Sequence, residues 1–89
     1  MTVEKIENVL KNGKGFIGFT VAGDPNFSKS VDYVVSLAES GADVVEIGIA
    51  FSDPSADGDT IMKADLRALN AGSTTERVFE MVGKIRERT

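Results

Sequence analysis

Two stretches of this sequence are apolar on both faces of any strand they could form, and that limits the fold more than any other feature. Gly15-Phe16-Ile17-Gly18-Phe19-Thr20-Val21-Ala22 is an almost unbroken run rich in aromatic and β-branched residues. Val44-Val45-Glu46-Ile47-Gly48-Ile49 is a second, interrupted only by Glu46 and Gly48. Such runs suit strands covered on both faces. Each is followed by helix-forming sequence, and strands alternating with helices imply parallel βαβ units with right-handed crossovers. A sheet of two strands is marginal alone. Helices can cover one of its faces. The other is expected to find a partner, either the rest of a larger α/β protein or further copies of the same chain joined through open sheet edges.

The periodicity predicts one segment, 1–89, with a helix over 2–12, a strand over 15–22, a helix over 28–40, a strand over 43–49, a loop over 50–59, and helices over 60–71 and 74–88. Thr2 is placed to cap the first helix, whose stripe is Val3, Ile6, Val9 and Leu10. Val31, Val34, Val35 and Ala38 form the apolar face of the second. Met62, Leu66 and Leu69 recur at helical spacing in the third. In the fourth, Val78, Val82 and Ile85 are expected to point inward, behind a capping box at Ser73-Thr74-Thr75-Glu76. Gly13, Gly41 and Gly72 sit where helices should stop.

Composition removes several chemistries. The chain has no Cys, which excludes disulfides, thiolate metal sites and a Cys nucleophile. It has no His, which excludes Ser–His catalysis and most zinc and iron sites. Acid–base work must therefore rest on carboxylates, Lys or the single Tyr33. A net charge of -4 disfavours nucleic acid and anionic membranes as partners. No apolar run approaches the roughly 18 residues needed to span a bilayer. The start, Met1-Thr2-Val3-Glu4-Lys5, lacks a basic segment followed by an apolar one, so a cytoplasmic location is expected.

Three local patterns have plain explanations. Gly13-Lys14-Gly15-Phe16-Ile17-Gly18 fits G-x-G-x-x-G, but the dinucleotide mechanism needs that loop after a strand and before a helix, and here the order is reversed. Asn26-Phe27-Ser28 fits a glycosylation sequon, and Ser28 reads better as a helix cap. Asp53, Asp57 and Asp59 share a loop without the register of a calcium site, which leaves a solvated acidic loop with Asp59 near a helix N-terminus.

Glu46 is the most informative residue. A carboxylate in a buried strand costs several kcal/mol unless it is paired, hydrogen-bonded or neutral. Side chains alternate, so Glu46 shares a face with Val44 and Gly48, while Val45, Ile47 and Ile49 face the other way. It also lies toward the C-terminal end of its strand, the end at which parallel α/β folds bind ligands. Either Glu46 is functional or its face is open to solvent. With Asp57 on the following loop, two carboxylates could flank one pocket and move protons at two atoms of a substrate.

The stretch Val45-Glu46-Ile47-Gly48-Ile49-Ala50-Phe51-Ser52-Asp53-Pro54-Ser55-Ala56-Asp57-Gly58 resembles the signature of the tryptophan synthase α subunit family. Ala22-Gly23-Asp24-Pro25-Asn26, Ser40-Gly41-Ala42-Asp43 and Arg67-Ala68-Leu69 agree in order and distance. The resemblance covers essentially the whole chain and implies the first third or so of an α/β (βα)8 TIM barrel, here two parallel strands with about four helices. It implies retro-aldol cleavage of indole-3-glycerol phosphate to indole and glyceraldehyde 3-phosphate, without a cofactor. By the same resemblance Glu46 moves protons at the indole ring carbon and the glycerol hydroxyl, Asp57 acts at the indole nitrogen, and Phe19 and Ile61 line the indole pocket. The loop after the second strand would touch the β subunit, which receives the indole.

The chain also departs from the family pattern. Pro is usual where it has Gly18, Ala50 and Asp59, a large aliphatic residue at Ser55, and Gln at Met62; Thr20-Val21 inverts the usual order. The family's phosphate site lies on loops that correspond to positions beyond residue 89. The 89 residues alone are therefore expected to lack most or all of the lyase activity, because remote binding interactions contribute to lowering the chemical barrier.

Overall fold

The structure is a computed structural model that describes residues 2–11, 13–50 and 58–89. Six elements follow in order: α1 (Thr2–Leu10), β1 (Ile17–Val21), α2 (Phe27–Glu39), β2 (Val44–Gly48), α3 (Asp59–Asn70) and α4 (Thr75–Arg88). The strands pair in parallel, with Ile17 opposite Val44, Phe19 opposite Glu46 and Val21 opposite Gly48. The regular parts are shorter than the apolar runs suggest. Gly15 and Phe16 precede β1, where the Phe16 N–H donates to Asp43 Oδ2 at 2.7 Å and the Phe16 carbonyl accepts from Asp43 N at 2.8 Å. A carboxylate thus anchors the lower end of the sheet and ends the regular strand there.

Among the described residues one face of the sheet is covered and the other is largely bare, which corrects the expectation of strands buried on both sides. Ala22 joins Val31, Val34 and Val35 of α2 and Val78, Met81 and Ile85 of α4 in the main core, and Val45, Ile47 and Phe27 pack against it. On the opposite face Val21 is the one buried strand residue among the described residues, packed against Ala64 and Ala68 of α3. Ile17 and Phe19 stand about half exposed there.

The helices correct four details. Asn26, not Ser28, caps α2: its side-chain oxygen accepts from Lys29 N at 3.0 Å. Thr74, not Ser73, caps α4, accepting from Arg77 N at 3.2 Å. Ser73 is engaged elsewhere and donates to the Ala22 carbonyl at 3.2 Å, so a tertiary contact takes the hydroxyl that the capping box would have used. In α4 the inward residues are Val78, Met81 and Ile85, with Val82 turned outward, because the helix rolls toward the valines of α2. In α3 the buried face is Ala64, Asp65 and Ala68, while Leu66 is exposed. Small residues let that helix approach the end of β1 closely.

The turn after β1 is held from several sides. Gly23 has φ +91°, and a Cβ there would lie 2.9 Å from Ser73 Oγ, so both conformation and space require glycine. The Gly23 N–H donates to the buried Ser30 Oγ at 3.0 Å, and Ala22 N donates to the Gly48 carbonyl at 2.8 Å. Ser30→Ala would leave the Gly23 donor buried and unpaired. A loss of about 1–3 kcal/mol is expected, read as a lowered urea midpoint with unchanged slope.

Candidate functional site

The exposed face of the sheet carries Ile17, Phe19 and Val21 from β1 and Val44, Glu46 and Gly48 from β2. Phe19 and Glu46 are neighbours in the ladder, so their side chains leave the sheet on the same side. The Phe19 ring lies over Gly48: a Cβ on Gly48 would come within 2.7 Å of the ring Cζ and 2.9 Å of Cε2. Glycine at 48 is what lets an aromatic ring lie across the strand pair beside a carboxylate. Gly48→Ala is expected to push the ring outward with a stability change within about 1 kcal/mol, because a half-exposed ring can swing into solvent. Altered ring-current shifts with an unchanged melting curve would show it.

Glu46 is exposed rather than buried. The sequence-based expectation of a costly interior carboxylate therefore fails for this chain, because Glu46 lies on the face opposite the core formed with α2 and α4. Glu46→Ala should accordingly change stability by no more than about 0.5 kcal/mol, checked by thermal melting. Its direction is the one expected: Val45 and Ile47 turn to the core and Glu46 turns away.

Phe19 and Ile61 come together in one groove of about 200 Å³ at the C-terminal end of β1. Thr20, Val21 and Asp24 from β1 and its turn, and Thr60, Ala64 and Arg67 from α3, complete it. Glu46 does not line this groove but adjoins it through Phe19. Asp57, together with Asp53 and Ser55, lies outside the described residues. Asp59 opens α3 directly after Gly58, at a position that suits either proline or an acidic residue facing the helix dipole. That accounts for one departure from the family pattern. Ala50 packs beside Ile61 against the Val21, Ala64 and Ala68 cluster, and Met62 is half-buried on α3.

Sequence reasoning passed over one pair in this groove. Arg67 meets Asp24 at two points, Nε to Oδ1 at 2.8 Å and Nη2 to Oδ2 at 3.0 Å. The hydrogen bond to Asp24 and then its charge hold the Arg67 guanidinium above its ordinary pKa, so it stays cationic. The residues are 43 positions apart. Nothing in local spacing signals such a pair, and only the packing of α3 on β1 brings it together. Among the described residues there is no group of three His, Cys, Asp or Glu side chains able to hold a metal ion, and no helix is long and apolar enough to cross a membrane.

Comparison with known proteins supplies the wider frame. A family model described as tryptophan synthase alpha chain matches residues 6–89. The tryptophan synthase alpha chain of Lactiplantibacillus plantarum is 60% identical over 84 residues, covering 94% of this chain and 32% of that protein. The corresponding chain of Lacticaseibacillus casei is 52% identical across all of this chain and 34% of its own length. Among solved structures, tryptophan synthase from Mycobacterium tuberculosis superposes with a TM-score of 0.84 at 32% identity, over 93% of this chain and 33% of that one. A mutant α subunit from Pyrococcus furiosus superposes with a TM-score of 0.79 at 36% identity, over 84% of this chain and 30% of that one. The chain thus spans about a third of the length of the curated relatives it matches. Its two parallel strands and flanking helices are part of an α/β TIM barrel. With a family match across nearly all of its length, two parallel strands in the matching architecture and Glu46 of β2 in register with Phe19 of β1, the chain belongs to the tryptophan synthase alpha chain family.

Proposed function

We propose that this chain forms the opening two strand–helix units of a cytoplasmic tryptophan synthase α barrel, and that it contributes part of the site that cleaves indole-3-glycerol phosphate. Glu46 delivers a proton to the indole ring carbon and removes one from the glycerol hydroxyl as the carbon–carbon bond breaks. Indole and glyceraldehyde 3-phosphate result, with no cofactor. Asp57 acts at the indole nitrogen, while Phe19 and Ile61 hold the ring. The β subunit receives the indole, as a family partner met at the loop after β2. The observation that carries this reading is the Phe19–Glu46 register on the bare face of the sheet: an aromatic surface and a carboxylate lie side by side where the rest of a barrel would enclose them.

Because the phosphate-binding loops belong to the family's later units, the 89 residues alone are inactive or nearly so. A graft tests both parts. The 89 residues replace the matching segment of the Lactiplantibacillus plantarum α chain, and indole release is followed for the graft and for the isolated chain, each with and without β subunit. The graft is expected to turn over and the isolated chain to be silent. A folded but inactive graft would refute the proposed role, and turnover by the isolated chain would refute the dependence on later units.

A second reading is favoured by the exposed Phe16, Ile17 and Phe19. In it the chain is a barrel-assembly module that associates with further copies through its open face and edges, without catalysis. Sedimentation at micromolar concentration separates the cases, since a compact, well-ordered monomer contradicts self-assembly.

A further inference from the structure

We infer that Asp24 and Arg67 are a positioning pair, which holds α3 against the C-terminal end of β1 and so sets the gap between Phe19 and Ile61. The inference deepens the proposed function, on which its bearing on catalysis rests. The argument begins with geometry. Val21, Ala64 and Ala68 make up a small buried cluster at the contact of α3 with the sheet, far less apolar surface than the main core beneath α2 and α4. A helix seated on so little area takes its angle largely from directional contacts. The two-point ion pair is directional, because both guanidinium nitrogens and both carboxylate oxygens must be in plane to be used.

Its two ends also stand on firm and loose ground respectively. Asp24 is only 17% exposed and belongs to the turn already anchored by Ser30, Ser73 and the Asn26 cap. Arg67 is 55% exposed and projects from α3, the helix to be placed. Both ends line the same groove as Phe19 and Ile61. Ile61 lies six positions before Arg67 on the same helix, so the angle at which Arg67 is held decides where Ile61 sits in the groove it shares with Phe19. The pair contributes little as a surface ion pair. Its value lies in alignment, where small displacements of positioning groups have large effects on rate.

The test uses the full 89-residue chain with Ile δ1 methyl labels, and compares Asp24→Asn, Arg67→Met, Arg67→Lys and the charge-exchanged double variant (Asp24→Arg with Arg67→Asp). In the two single neutral variants the Ile61 methyl resonance is expected to move and amide exchange along α3 to quicken about tenfold, while the Ile85 and Ile47 methyls and exchange in α2 and α4 stay put. Arg67→Lys should restore little, since an ammonium cannot make the planar fork, and the double variant should restore part. An Arg77→Met control removes a more exposed ion pair, with Glu80 on α4, and should leave Ile61 unmoved. In the graft, Arg67→Met should raise KM for indole-3-glycerol phosphate about five- to tenfold with a smaller change in kcat. An unmoved Ile61 methyl, α3 exchange equal to that of the parent chain, or an unchanged KM would each overturn the inference. An inactive parent graft would instead refute the proposed function and leave the methyl and exchange measurements to decide the pair.

Discussion

Glu46→Gln in the graft is expected to lower indole release by about 10²–10⁴-fold with KM nearly unchanged, the range that removal of a positioned general acid–base covers. Glutamine keeps the length and shape of the side chain and loses only the ability to give and take a proton. The substitution is also safe for the fold. Within the 89 residues Glu46 points away from the core that Val45 and Ile47 enter, so an amide of the same size leaves that core intact. A rate within about tenfold of the parent graft would mean that the carboxylate is not the proton carrier. Circular dichroism on the same sample excludes unfolding as the cause of a loss.

Met81→Ala should have the largest effect on stability. Met81 is among the largest fully buried side chains of the described residues and sits in the cluster with Val31, Val34, Val35, Val78 and Ile85, where α4 meets α2. Truncating a buried methionine to alanine costs about 2–5 kcal/mol through lost transfer energy and the cavity left behind. Small domains hold only about 5–15 kcal/mol in total, and a chain with one bare sheet face belongs at the low end. The variant is therefore expected to be largely unfolded at room temperature, seen as lost far-ultraviolet ellipticity. Phe79→Ala is the matched control: Phe79 is 72% exposed on the same helix and its removal should shift the melt little. Equal behaviour of the two variants would place the core elsewhere.

The exposed carboxylate, the bare sheet face and the shifted buried stripes share one cause. Alternation along β2 is a local property, and it correctly sent Glu46 to the side opposite Val45 and Ile47. Whether that side is covered depends on what else packs there, which alternation does not encode. Likewise Val78 and Ile85 were legible as an inward pair, but the choice between Met81 and Val82 turned on how α4 rolls against α2. In α3 the expected stripe is only partly kept: Met62 and Leu69 are half-buried and Leu66 is exposed, because the contact with β1 selects small side chains and buries Ala64 and Ala68.

By itself the sequence determined the order of elements, the parallel pairing, the family and the face of β2 on which Glu46 lies, because these follow from short-range periodicity and from a motif contiguous in the chain. Only the tertiary structure decided that Asp24 and Arg67 meet across 43 positions, that Ser73 serves the β1 turn instead of capping a helix, and that the Phe19 ring crosses Gly48. Those contacts depend on the angle and depth at which whole helices dock. Such geometry is set by the sum of many weak packing terms, none of which leaves a mark on local spacing.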